Sequence, residues 1–185
     1  MIYHLLNATF NLTIDQAAAI YFYTMETPFY GALNAALRSE NRSLIRPFIK
    51  FVKLFLSGLY LLPLPPAPTV VFRGVKEHLV TQYPKDRKFR WWQFSSSTAA
   101  VQVLQDPKFC GKEGARTVFN ISTRYCVDIC RYSAFKCVEE ERLILPGMQL
   151  QVVGVVDFGH GLHQVQLAEI LETAPLLDYL HPALV

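Results

Sequence analysis

Glu139-Glu-Glu-Arg-Leu-Ile-Leu-Pro-Gly147 sets three consecutive carboxylates before an aliphatic run that ends in proline and glycine. If the segment is extended, side chains alternate between faces, so Glu139 and Glu141 share one face and Glu140 points to the other. Two carboxylates side by side repel, and one is expected to titrate high unless a cation is bound between them. Such a pair suits the acceptance of a cationic nucleophile. Two short pieces precede it in the chain: Thr69-Val-Val-Phe-Arg-Gly-Val75 and Trp92-Gln-Phe-Ser-Ser-Ser-Thr98. Arg73 supplies a guanidinium suited to phosphate, and Gly74 lets a ligand come close to the backbone beside it. Ser95 to Thr98 supply small hydroxyls for positioning. Each piece alone reads as an ordinary surface arginine, a solvated turn or a charged loop. Together they form a kit for breaking the glycosidic bond of a dinucleotide.

The rest of the composition leaves room for that reading and closes off others. A chain of 185 residues suits one domain and can bury a proper core. With 51% apolar and 18% charged residues it is expected to be globular rather than disordered. The net charge of +3 is compatible with a phosphorylated ligand but falls far short of a nucleic-acid footprint, and no Lys/Arg run occurs. The best transmembrane candidate, Leu44 to Leu64, is interrupted by Arg46, Pro47, Lys50 and Lys53, so no integral membrane segment is expected. The N-terminal Met1 to Asn7 lacks the pattern of a signal peptide, which leaves a cytoplasmic or a secreted location open. Sequons at Asn7, Asn11, Asn41 and Asn120 give weak support to an extracellular route. Cys110, Cys126, Cys130 and Cys137 contain no Cys-x-x-Cys pair and are expected as buried or free thiols.

The chain divides into a helical third and a strand-rich remainder. Thr13-Ile-Asp-Gln16 has capping-box spacing and opens a helix through Met25. Thr27-Pro28 starts a second, Phe29 to Leu37. Leu44, Phe48, Phe51, Val52, Phe55 and Leu59 recur at helical spacing, with Arg46, Lys50, Lys53 and Ser57 on the other side. Prolines 63, 65, 66 and 68 force an extended connector. Strands are expected at Thr69–Val75, Phe89–Phe94, Thr117–Ile121, Gln149–Val156 and His163–Leu171, with Phe158-Gly-His-Gly161 as a hairpin turn between the last two. A short helix capped by Thr98 is expected between Ser97 and Gln105.

With these pieces in order, the chain resembles the arginine-specific mono-ADP-ribosyltransferases, a family marked by an Arg, a Ser-x-Ser/Thr and a Glu-x-Glu. Phe72-Arg73-Gly74 matches its aromatic-Arg-Gly. Phe94-Ser95-Ser96-Ser97-Thr98 matches its hydroxyl motif and selects Ser96. Glu139-Glu140-Glu141 with Pro146-Gly147 matches its acidic motif, the spacing to Pro146 making Glu141 the final glutamate. The resemblance runs from about Thr69 to Ile170, and the preceding helices resemble the family's helical lobe. It implies an α+β ADP-ribosyltransferase fold, an N-terminal helical lobe (1–64) packed on a β-sandwich-like catalytic core (65–185), in a single domain.

The implied activity is transfer of ADP-ribose from NAD, the co-substrate, to an accessible arginine of a partner protein. In the roles the resemblance assigns, Glu141 hydrogen-bonds the ribose 2′-hydroxyl and stabilises the cation formed as nicotinamide departs. Ser96 holds Glu141, Arg73 binds phosphate or ribose oxygens, and the Gly74 backbone grips the nicotinamide amide. Glu139 orients the incoming guanidinium and helps remove its proton, which a guanidinium otherwise keeps. Tyr125, Tyr132 and Phe135 are candidates to stack on nicotinamide, while Trp91 and Trp92 are expected in the core. The alternatives are an NAD glycohydrolase, with water in place of arginine, and an inactive binding module of the same fold. No metal is expected: His160-x-x-His163 lacks a third ligand and lies across a turn. No Gly-x-Gly-x-x-Gly occurs, so a Rossmann-type NAD site is not supported.

Overall fold

The computed structural model describes residues 12–25, 27–107, 109–135 and 140–170. The readings on Met1 to Asn7, Asn11, Cys137, Glu139 and Leu171 fall outside the described residues. Helix α1 spans Ile14–Thr24 and begins with the expected capping box: the Gln16 amide donates to Thr13 Oγ1 and the Thr13 amide to Gln16 Oε1. Its Ile20, Tyr23 and Thr24 turn inward. Helix α2, Pro28–Arg38, has proline at its first turn, where the missing N–H has no intrahelical partner to lose.

The third periodic stretch is not one helix. Arg42–Phe48 is a 3₁₀ segment containing Pro47, and α3 proper is Ile49–Leu59. A proline ring inside an α-helix clashes with the preceding turn and removes a donor, so the regular ladder starts only after it. Phe55 and Leu59 are fully buried, but Leu44 is half exposed, and the exposed Ser57 accepts a hydrogen bond from Gln16 of α1. The helices meet the strands through an aromatic seam: Phe55 lies 4.8 Å from both the Tyr23 and Phe94 rings, centroid to centroid.

Eight strands follow: β1 Thr69–Val75, β2 Lys88–Trp91, β3 Ser95–Thr98, β4 Arg116–Thr123, β5 Cys126–Asp128, β6 Glu141–Ile144, β7 Met148–Asp157 and β8 Leu162–Glu169. They form one mixed sheet in the order β2-β7-β8-β4-β1-β3-β6-β5, with β4 and β8 parallel. The ladder between β1 and β3 consists of a single residue pair, Phe72 and Thr98. A five-strand group and a three-strand group therefore meet at one narrow seam. The hairpin β7–β8 turns at Phe158–Gly161, and Val165 and Leu167 are buried while Gln166 is exposed, as the alternation in β8 requires.

Several expectations are corrected. The strand expected to run to Phe94 stops at Trp91, and Ser95–Thr98 forms a separate strand. The expected short helix is a 3₁₀ turn, Val101–Gln105, and Thr98 does not cap it; its hydroxyl accepts from the Ala100 amide within a local turn. The reason is tertiary: β6 pairs along the whole of Ser95–Thr98, and that ladder holds the segment extended. Trp91 is buried as expected, but Trp92 is half-buried beneath the guanidinium groups of Arg42 and Arg90. Cys110 and Cys126 are buried free thiols, whereas Cys130 is disulfide-bonded. Among the described residues no helix is long and apolar enough to cross a membrane.

Candidate active site

The seam between β1 and β3 opens into a cavity of about 390 Å³, walled by both strands, by Glu141 at the start of β6 and by the inner faces of α1 and α2. The described residues selected from the three motifs all line it: Arg73, Gly74, Ser96 and Glu141. The register explains why. Glu141 pairs directly with Thr98, and Ser96 lies two residues along on the same face of β3, so its hydroxyl reaches the carboxylate diagonally.

Ser96 is the pivot of the arrangement. Its carbonyl oxygen accepts a 2.8 Å hydrogen bond from Arg73 Nη1, and its hydroxyl hydrogen-bonds Glu141. Arg73 makes no ion pair among the described residues, so its charge is left to the cavity. Burial pushes its pKa down from the ordinary arginine value, with Tyr23 and Tyr30 acting in the opposite sense. A guanidinium remains charged throughout the physiological range regardless.

Glu141 is 5% exposed, and burial raises its pKa above the usual carboxylate range, while hydrogen bonds from Ser133 and Ser96 pull it back down. Among the described residues, desolvation is the largest cause of that rise. The alternation argument also needs correction. Glu140 adopts φ 45°, so the extended chain begins at Glu141 and does not run back through Glu140. Glu139, its expected companion, lies outside the described residues.

Gly74 lines the cavity, yet its lack of a side chain answers to a second neighbour. A Cβ built there would lie 2.6 Å from Cys110 Cβ and 3.3 Å from Leu104. The glycine lets the segment after β3 pack flat on β1, and that segment brings Val103, Leu104 and Phe109 to the cavity wall. Of the aromatic candidates, Phe135 lines the cavity; Tyr125 and Tyr132 do not and are buried in the core.

Four lining or supporting residues were missed in the sequence. Tyr23 and Asn34 line the cavity from the helices, Asn34 Nδ2 donating to the Tyr23 hydroxyl at 2.9 Å. Asn34 Oδ1 is buried with no hydrogen-bond partner among the described residues. An amide at 34 beside the buried Leu33 and Ala36 was a readable signal, because burying it without a partner is unfavourable. Thr24 accepts from the Ala134 amide, and Ser133 donates to Glu141 Oε2 at 2.5 Å. The first joins segments 110 residues apart and the second crosses the loop before β6; neither carried a local signal.

The arrangement suits a doubly charged dinucleotide. Arg73 offers a guanidinium and Glu141 a buried carboxylate to the same cavity, so a ligand carrying both negative and developing positive charge finds a partner for each. Structural comparison identifies the fold. The fold matches ADP-ribosyltransferase Vis, a toxin from Vibrio splendidus solved in complex with agmatine, at TM-score 0.69 and 15% identity over 94% of this chain and 82% of that one. It matches the eucaryotic mono-ADP-ribosyltransferase ART2.2 at TM-score 0.70 and 23% identity, covering 95% and 77% of the two chains. It also matches HopU1 of Pseudomonas syringae pv. Tomato DC3000 at TM-score 0.71 and 21% identity, covering 86% and 78%. No curated protein sequence matches at a significant level. The family model described as NAD:arginine ADP-ribosyltransferase matches residues 2–174, nearly the full length, and the chain belongs to that family.

Proposed function

We propose that the family's reaction, transfer of ADP-ribose from NAD to an arginine side chain with release of nicotinamide, takes place in the cavity shared by Arg73, Ser96 and Glu141. One observation carries this reading: a buried carboxylate and a guanidinium with no ion pair among the described residues share one cavity, and Ser96 bonds both. Opposite charges that are kept from neutralising each other are available to a ligand of mixed charge. NAD presents two phosphates at its centre and a ribosyl carbon that turns cationic when nicotinamide departs.

Arg73 binds the phosphates and fixes the dinucleotide. Glu141, ionised, stabilises the oxocarbenium-like transition state, and its burial strengthens that interaction because little water screens it. Ser96 holds Glu141 in place, and the Gly74 backbone contacts the nicotinamide amide. Glu139 orients the acceptor guanidinium and draws off its proton as the new bond to the ribose forms. The acceptor is a protein with an accessible arginine. The agmatine bound to Vis supports the use of a small guanidine in its place.

The test is incubation with NAD and agmatine, following nicotinamide and ADP-ribosyl-agmatine separately. Conjugate is expected, and its loss is expected in Glu141→Ala. Glu139→Gln should abolish conjugate while nicotinamide release continues. Transfer undiminished in Glu139→Gln would remove the role given to that residue, and nicotinamide without conjugate in the unaltered protein would favour a glycohydrolase.

A further inference from the structure

We infer that Ser133 is a second positioning residue for Glu141, tying the carboxylate to the loop that precedes β6. This rests on the proposed role of Glu141 in the cavity. Ser133 is 4% exposed and stands at the end of the 3₁₀ turn Cys130–Tyr132. Its Oγ donates to Glu141 Oε2 and accepts from the Phe135 amide at 3.1 Å. A hydroxyl carries one hydrogen, and with the Phe135 N–H occupying a lone pair, that hydrogen is directed at the carboxylate. One oxygen thereby sets both the carboxylate and the backbone of Phe135, which lines the cavity.

The turn itself is anchored. The neighbouring Ala134 amide donates to Thr24 Oγ1 at 2.9 Å, and the Thr24 hydroxyl donates to the Tyr21 carbonyl at the end of α1. The helical lobe, the loop and the reacting carboxylate are thus joined by consecutive hydrogen bonds. Ser96 approaches Glu141 from β3 and Ser133 from the loop, so the carboxylate is fixed from two elements. A group held from one side only is free to swing about the bond to its single partner, and misplacement of a reacting group carries a large rate penalty.

The same hydrogen bond favours the ionised form of Glu141 against burial. Among the described residues, the titratable and charged groups that line the cavity with it are Arg73 of β1, Tyr23 of α1, Tyr30 of α2 and Lys76 at the cavity edge. None of these changes when Ser133 is altered, so a shift in the pH profile reports on the Ser133 contact.

The experiment measures kcat, KM for NAD and the pH dependence of kcat, with agmatine as acceptor, for the unaltered protein, Ser133→Ala, Ser133→Thr and Glu141→Gln. Ser133→Ala is expected to lower kcat roughly 10- to 100-fold, as loss of a hydrogen bond to a charged group does, with KM for NAD within about twofold. Its acid limb should move to higher pH, and Ser133→Thr, which keeps the hydroxyl, should restore both properties. If Ser133→Ala does not fold, Ser133→Cys fills nearly the same space with a weak donor and reads the same quantities. Unchanged kcat and acid limb in a folded variant lacking the hydroxyl would overturn the inference. So would a loss of activity confined to KM. Full activity in Glu141→Gln would instead overturn the reading of the site on which the inference stands.

Discussion

Glu141 sits where function and stability pull apart. Burial holds its pKa above the value it has in an unfolded chain, so the folded protein binds this proton more tightly than the unfolded one. Between about pH 4.3, where an unfolded glutamate titrates, and the raised folded value, stability therefore falls as pH rises. Above the folded value the full unfavourable contribution is present. Glu141→Gln removes the charge and keeps an acceptor oxygen for Ser133. Its expected phenotype is a kcat reduced by at least about 100-fold, with a melting temperature above that of the unaltered protein near pH 8. The gain should shrink on acidification and vanish below about pH 4, where both states of the unaltered protein are protonated. Thermal melts across that range check it; a variant less stable than the parent near pH 8 would contradict the assignment of burial as the dominant cause.

At the scale of elements, the packing of the segment after β3 on β1 turns on Gly74. A methyl group there overlaps Cys110 Cβ, and relieving the overlap requires a shift of backbone or of the Val101–Gln105 turn. Gly74→Ala is expected to destabilise the protein by about 1–3 kcal/mol, the usual range for overpacking. Cys110→Ala should not rescue it, because the clashing atom is the Cβ that alanine keeps, whereas Cys110→Gly should recover part of the loss. Denaturant melts of the two double variants separate these outcomes. Rescue by Cys110→Ala would place the conflict at the sulfur instead. The free thiol is a spacer in this reading: burial raises its pKa and leaves it a poor nucleophile.

Across the whole molecule, the helices complete the site as well as covering the sheet. Tyr23 and Asn34 reach the cavity from α1 and α2, and their position depends on the seam of Tyr23, Phe55 and Phe94. Phe55 is fully buried between the other two rings. Phe55→Ala should lower stability by about 3–5 kcal/mol, as large-to-small changes of core aromatics do. Because Tyr23 and Phe94 both line the cavity, it should also raise KM for NAD in whatever fraction remains folded. Calorimetry and steady-state kinetics on one preparation test both effects. A large loss of stability with unchanged KM would show that the lobe is a cover only.

Local physics made much of this legible in advance. A threonine three residues before a glutamine capped α1, a proline opened α2, and alternation marked the inner face of β8, because each depends on neighbours in the chain. The residues Arg73, Ser96 and Glu141 were selected by type, spacing and family resemblance, and their meeting at one cavity followed. What sequence could not supply was whatever depends on a distant strand or an energy balance between environments. Ser95–Thr98 is a strand because β6 lies beside it, although its own residues suggest a turn. Glu141 titrates high because it is buried, a property no neighbour in the sequence encodes. Ser133, Thr24 and Cys110 acquire their roles only where the folded chain brings α1, the loop before β6 and β1 into contact. Sequence determined which chemistry was present; tertiary packing decided which groups were desolvated, and desolvation is what turns a carboxylate and a guanidinium into a site.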